Sequence, residues 1–213
     1  MRYLSHILNS DTPTYGNRNK FQIEKKSDIS KGDIANDTTI LTTVHIGTHI
    51  DMPYHFYENG QTIIDFPLDF WNFNNTLFLE IKPKNQVIFN EIIEKLETLE
   101  NNYDILIIKT GLCYFREDEK FWKNNYGFSE KLYDYLIDKF SKIRVIGFDS
   151  ISISSFQNRV EGRKAHKKFL NPKQPILILE DMDLKGINNL TKIQIIPLRI
   201  EKCDGLPCTV IGE

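Results

Sequence analysis

The alternation of apolar and polar positions divides the chain into short strand-like segments rich in β-branched residues, at 38–45, 76–81, 104–109, 144–148, 175–179 and 193–200. Ile105-Leu106-Ile107-Ile108 and Ile176-Leu177-Ile178-Leu179 are apolar at every position, which predicts strands covered on both faces. Two amphipathic helices stand between them. In the first, Phe89, Ile92, Ile93, Leu96 and Leu99 recur at spacings of three and four, with Glu91, Glu94, Lys95 and Glu97 between them. The second opens at Ser129 and carries Leu132, Leu136 and Phe140 on one stripe. A shorter helical stretch over 163–170 would hold His166. Strands alternate with helices in the second half, whereas the first half is mostly strand and loop. The class is α/β, or α+β, with a mixed sheet.

No repeat, low-complexity block or Pro/Gly/Ser linker divides the 213 residues, so a single domain over 1–213 is expected. Hydrophobic residues make up 40% and charged residues 26%, a balance that supports a sizeable core. Lys plus Arg is 27 against 29 for Asp plus Glu, and this lack of basic excess argues against a nucleic-acid groove. No apolar run approaches the ~20 residues of a membrane span, and Met1 to His6 lack the apolar stretch of a secretory signal. The expectation is a cytoplasmic protein with neither nucleic acid nor membrane as partner. Cys113, Cys203 and Cys208 have no C-x-x-C spacing and read as small residues in or near the core.

The histidines change the picture. There are five, and His45, His49 and His55 fall within eleven residues, where an even spread would place about a quarter of one. The segment reads His45-Ile46-Gly47-Thr48-His49-Ile50-Asp51-Met52-Pro53-Tyr54-His55. Imidazole and carboxylate suit Zn²⁺, Mn²⁺ and related ions. A helix would bring His45 and His49 together, but Gly47, the flanking β-branched residues and Pro53 make this a poor helix. The expected setting is a strand end running into a tight loop. There Gly47 allows close backbone approach, and Asp51 and His55 turn towards the same point.

This segment resembles the H-x-G-T-H-x-D-x-P-x-H signature of the cyclase-like metal-dependent hydrolase family, which includes bacterial kynurenine formamidase (arylformamidase). Further stretches resemble the same family: Leu4-Ser5-His6, Thr12-Pro13-Thr14-Tyr15-Gly16, Lys109-Thr110-Gly111, Ile146-Gly147-Phe148-Asp149, the run from His166 to Glu180, and Pro197-Leu198 through Asp204-Gly205-Leu206-Pro207. The resemblance implies a swivelling β/β/α fold and a homo-oligomer, a dimer or higher. It makes His45, His49 and Asp51 ligands of one metal. Asp51, His166 and Glu180 bind a second, with Asp51 and Glu180 bridging. By the same carry-over His55 is the catalytic proton donor and acceptor, and Tyr15 stands where formylkynurenine-cleaving members place a tryptophan against the substrate. One or two divalent ions per chain follow, zinc first and manganese second. Glu180 also has a local argument, since it ends an apolar strand where a free carboxylate is costly. The lysines around His166, by contrast, suggest an exposed helix face.

The implied activity is hydrolysis of the carbon–nitrogen bond of a small amide. The residues leave room for a lactam or lactone hydrolase, for a cyclase or dehydratase of a small intermediate, and for a non-catalytic metal-binding or small-ligand-binding protein. Three departures bear on the substrate. Tyr15 replaces tryptophan, Ser152 and Ser154 replace parts of an acidic stretch, and Asp181-Met182 replaces the Asn-Leu that follows the bridging glutamate. Asp181 would then either perturb that end of the site or face solvent.

Overall fold

The computed structural model describes residues 1–213. In chain order the first half carries β1 (Arg2–Tyr3), β2 (Gln22–Ser27), β3 (Asp37–Leu41), β4 (His49–Asp51), β5 (Asn72–Phe73), β6 (Thr76–Glu80), β7 (Val87–Ile88), α1 (Asn90–Leu96) and β8 (Ile105–Lys109). The remainder carries α2 (Lys120–Lys123), β9 (Gly127–Phe128), α3 (Lys131–Lys139), β10 (Val145–Phe148), α4 (Arg159–Phe169), β11 (Leu177–Glu180), β12 (Ile193–Pro197) and β13 (Gly205–Gly212). No helix is long and apolar enough to cross a membrane.

Nine strands form one sheet in the order β5-β12-β13-β4-β11-β10-β8-β6, with β1 added on β13. From β5 to β11 every pairing is antiparallel; from β11 to β6 every pairing is parallel. The two end strands, β5 and β6, follow one another in sequence. Asn74 and Asn75 between them donate backbone N–H groups to the Asp104 carboxylate at 3.1 and 3.2 Å. The sheet therefore curls until its ends nearly meet, and one apolar cluster of 43 buried residues runs through both halves. This is the expected mixed α/β class.

The doubly covered strands are as the sequence implies: every residue of β8, β10 and β11 is buried. In the antiparallel half β12 alternates buried and exposed positions, as a strand with one solvated face does. Helix α1 buries Ile92 and Leu96, and α3 buries Leu132 and Leu136, with Ser129 Oγ accepting from Lys131 N at its start. Helix α4 begins at Arg159, earlier than its apolar spacing suggests, because Asn158 Oδ1 caps Glu161 N. The strand expected over 193–200 stops at Pro197.

Two expectations are corrected. The strand expected over 38–45 stops at Leu41 and leaves the main sheet to pair with β2 as a separate hairpin. The stretch expected to be loop after it contains β4, a three-residue strand between β13 and β11 in the middle of the large sheet. Gly47, at φ +57°, breaks the extended run before it, and three residues are too short to show a period.

Beside the site, Asp149 fixes the turn after β8. Its fully buried carboxylate accepts from Thr110 N (2.7 Å), Thr110 Oγ1 (2.7 Å), Gly111 N (2.9 Å) and Cys113 N (3.3 Å). Asp149→Ala strands these donors away from water, so stability should fall by about 3 kcal/mol. A urea titration reads this as a lower midpoint at constant slope. A loss below about 1 kcal/mol would show that the turn holds without the carboxylate.

Candidate metal centre

Alternation along β4 places His49 and Asp51 on one face and Ile50 on the other. The antiparallel register sets Glu180 of β11 directly opposite His49. The ligand atoms of His49, Asp51 and Glu180 all lie within 4.8 Å of one another, and all three residues are buried. His45, Asp51 and His55 form a second such group. His45 reaches it from the irregular stretch before β4, where a Cβ on Gly47 would lie 2.3 Å from Leu8 Cδ2. The His45 ring lies against Gly205 of β13, where a Cβ would stand 2.6 Å from its Cε1. His55 ends the 3-10 turn Pro53–His55, and His166 comes from the buried side of α4.

The six polar residues singled out by the sequence, together with Tyr15, line one cavity of about 360 Å³. Tyr15 forms its aromatic wall, edge-on to Phe156 at 5.5 Å between ring centroids. His166, expected on an exposed face, is buried with its ring stacked on Phe56 at 4.9 Å.

Hydrogen bonding fixes which imidazole atoms face the carboxylates. His49 Nδ1 donates to Gly47 O at 2.8 Å, and His166 Nδ1 donates to Gly162 O at 2.9 Å. Each therefore presents Nε2. His49 Nε2 is 3.4 Å from Asp51 Oδ1 and 3.4 Å from Glu180 Oε2, and it is buried with no hydrogen-bond partner. His166 Nε2 is 3.4 Å from Asp51 Oδ2 and 3.9 Å from Glu180 Oε1. Each carboxylate thus turns one oxygen to each histidine. Separations of 3.4 Å are long for hydrogen bonds, yet they match the ligand–ligand edge, about 3.3–3.4 Å, of a tetrahedron with metal–ligand bonds of ~2.0–2.1 Å. The donor set fits a divalent ion.

His45 is held differently, with Nδ1 2.8 Å from Asp51 Oδ1 and Nε2 2.8 Å from Asp204 Oδ2. Burial opposes its protonation, but Asp51 and Asp204 outweigh that and push its pKa up to about 9. For His49 and His166 burial again opposes charging, and the facing carboxylates Asp51 and Glu180 raise both. Burial works against ionisation of Asp51, yet the surrounding histidines hold it well below the usual carboxylate range. The cluster calls for positive charge, from protons or from a cation.

Four contributors were not among the expected site residues. Asp204 accepts from His55 Nδ1 at 2.8 Å as well as from His45, and in the sequence it stands out only as part of the Asp204-Gly205-Leu206-Pro207 stretch, with no role attached. Ser152 Oγ and Ile153 N donate to Glu180 Oε1 at 3.3 and 2.7 Å. Arg116 grips Asp181 through Nε at 2.8 Å and Nη2 at 2.6 Å. Asp181 is therefore buried and paired, not solvent-facing, and it does not line the cavity.

Residues 3–155 match the family model of Cyclase, described as putative cyclase. Cyclase-like protein 2 of Arabidopsis thaliana is 25% identical over 189 residues, spanning 86% of this chain and 67% of that protein. Kynurenine formamidase of Bacillus thuringiensis subsp. konkukian (strain 97-27) is 31% identical over 65 residues, 30% of this chain and 31% of that one. Among solved structures, one described as a potential metal-dependent hydrolase with cyclase activity superposes with a TM-score of 0.77 at 24% identity, covering 99% of this chain and 96% of its own. An isatin hydrolase bound to the product analogue thioisatinate gives 0.79 at 18% identity, covering 100% and 92%. With the family model spanning most of its length, the chain belongs to the putative cyclase family of enzymes.

Proposed function

We propose that the chain is a metal-dependent hydrolase that cleaves the carbon–nitrogen bond of a small amide. One observation carries this reading: the orphaned Nε2 of His49 stands between two buried carboxylates, in a cavity that holds a further histidine, His55, with a free ring nitrogen. His45, His49, Asp51 and Glu180 would hold one ion, and His166 with the remaining oxygens of Asp51 and Glu180 a second. Zinc is the first expectation and manganese the next, since nitrogen and oxygen donors suit both. Such an ion supplies Lewis acidity and makes water nucleophilic near neutral pH.

The chain's own residues supply the rest. His55 donates through Nδ1 to Asp204, and its Nε2 has no partner within the protein. It is therefore placed to take a proton and return it to the departing nitrogen, which leaves readily only when protonated. Tyr15 and Ile151 line the cavity beside it and offer a wall for a planar substrate. The names of the relatives guide the choice of trial substrates: N-formylkynurenine as an open amide and isatin as a cyclic one.

We also propose that the working form is a homo-oligomer. Nearly every residue of the β2–β3 hairpin is exposed, and Ile23, Ile29, Ile34, Ile40 and Leu41 each expose more than half of their surface. A two-stranded hairpin standing free is marginally stable in water, and a second copy of the chain would cover it.

The purified protein should contain one to two zinc or manganese ions per chain, and a chelator should abolish turnover of at least one of the two amides. Metal-free preparations with undiminished turnover would overturn the mechanism. His55→Ala should lower kcat by about 10²-fold or more while leaving metal content intact; parallel loss of both would make His55 a ligand. The raised pKa of His45 sets a pH dependence. Protonated His45 stabilises the metal-free fold fully below its ordinary 6.5, and this contribution is lost as pH rises to about 9. Zinc needs the deprotonated ring, so the rise in Tm on adding zinc should grow across that window, whereas a flat or shrinking rise would exclude His45 as a ligand. Sedimentation equilibrium should give a mass of at least two chains, reduced to one by Ile34→Asp with Ile40→Asp. A wild-type monomer would refute the oligomer.

A further inference from the structure

Asp204 stands immediately before β13, and its backbone is tied to the end of β4: Met52 N donates to Asp204 O at 3.0 Å. The neighbouring residue, Gly205, leaves the space in which the His45 ring lies. The carboxylate is thus carried on a fixed piece of backbone at the rim of the cavity. One of its oxygens, Oδ2, lies 2.8 Å from His45 Nε2 and 2.8 Å from His55 Nδ1. The two rings are consequently held 4.2 Å apart between centroids, tilted by 43°.

An ionised carboxylate only accepts hydrogen bonds, so both nitrogens facing Oδ2 carry hydrogen. A neutral imidazole has a single N–H. With that hydrogen committed to Asp204, neutral His55 must present a bare Nε2 to the cavity, and His45 must present Nδ1 beside Asp51. We propose that Asp204 is a positioning residue that sets the tautomer of His45 and of His55 through one oxygen. It thereby aligns a ligand and the proton carrier as a unit. This inference rests on the hydrolase reading for its kinetic consequence but not for its structural one.

The arrangement has two effects. A carboxylate behind a metal-ligating imidazole fixes the ring's orientation and raises its basicity. The same carboxylate behind His55 stabilises the imidazolium that forms when Nε2 takes a proton, as an acid does when paired with a catalytic histidine elsewhere. Because both bonds end on the same atom, displacing either ring loosens the other. Asp51 cannot take over this role for His55. Its oxygens are directed at His45, His49 and His166.

The test compares Asp204→Ala and Asp204→Asn in the full chain with zinc as the metal. In ¹⁵N-histidine spectra, wild-type His55 should be the Nδ1–H tautomer, and Asp204→Ala should shift it to the Nε2–H form or a mixture. Asp204→Asn can turn an amide N–H as well as an oxygen to the rings, so it should also lose part of the Nδ1–H form. Both variants should lower kcat by about 10–100-fold with KM little changed, and Asp204→Ala should also weaken zinc binding by about tenfold. Unchanged His55 signals in Asp204→Ala, or an unchanged kcat in a folded Asp204→Asn, would overturn the proposal. If wild-type protein binds zinc yet cleaves neither amide, the hydrolase reading fails, and the histidine spectra and zinc affinity still decide the role of Asp204.

Discussion

Two carboxylates buried face to face dominate this molecule. Asp51 and Glu180 lie almost wholly out of water on adjacent strands, and an ionised carboxylate in a protein interior carries a penalty of several kcal/mol unless its oxygens are matched. Backbone and hydroxyl donors meet part of the demand: Ile153 N and Ser152 Oγ both bind Glu180 Oε1. Asp51 has imidazoles for neighbours, and its charge pulls His45, His49 and His166 towards the protonated state against their burial. A cation is the natural complement.

The sheet explains how a chain can place that charge reproducibly. β4 and β11 form the boundary where antiparallel pairing gives way to parallel pairing. On the parallel side, β8, β10 and β11 all end at the same edge. There they deliver Thr110, Asp149 and Glu180 at the carboxyl ends of the parallel strands, where ligands characteristically bind. On the antiparallel side, β4 runs the other way and brings His49 opposite Glu180, with β13 beside it to supply Gly205 and Asp204. The seam joins residues from both ends of the chain on a backbone fixed by ladder hydrogen bonds. Arg116 steadies the point just beyond Glu180, because it holds Asp181 in the left-handed conformation at φ +50°.

The sequence revealed the site more fully than it revealed the strand that carries it. His45, His49, Asp51 and His55 were legible because histidine is scarce and the spacing is dense, a signal that does not depend on secondary structure. β4 itself was illegible: three residues cannot display a period, and Gly47 reads as a loop signal. His166 was obscured by Lys164, Lys167 and Lys168, whose charges describe the outer face of α4 while the histidine lies on the inner one. Asp204 was invisible as a site residue, because a partner 149 positions from His55 is brought near only by the pairing of β13 with β4. The long apolar runs of β8 and β11 were unambiguous, since burial on both faces leaves no polar position to confuse the reading.

The two positions proposed for metal are not equivalent. At the His49 position, Asp51 Oδ1 and Glu180 Oε2 both lie 3.4 Å from Nε2, and His45 stands on the same side at 2.8 Å from Asp51 Oδ1. At the His166 position, Asp51 Oδ2 is also 3.4 Å from Nε2, but Glu180 Oε1 is 3.9 Å away and already accepts from Ile153 N and Ser152 Oγ. A lone pair engaged by a backbone N–H at 2.7 Å is a weaker donor to a cation. The serines that depart from the family's acidic stretch are thus part of this asymmetry, for Ser152 donates to Glu180 and Ser154 Oγ lies 3.3 Å from His166 Nδ1. On electrostatic grounds the proposed His49 position would bind first and more tightly, and the donors at 152 and 153 on Glu180 Oε1 would set the gap between the two.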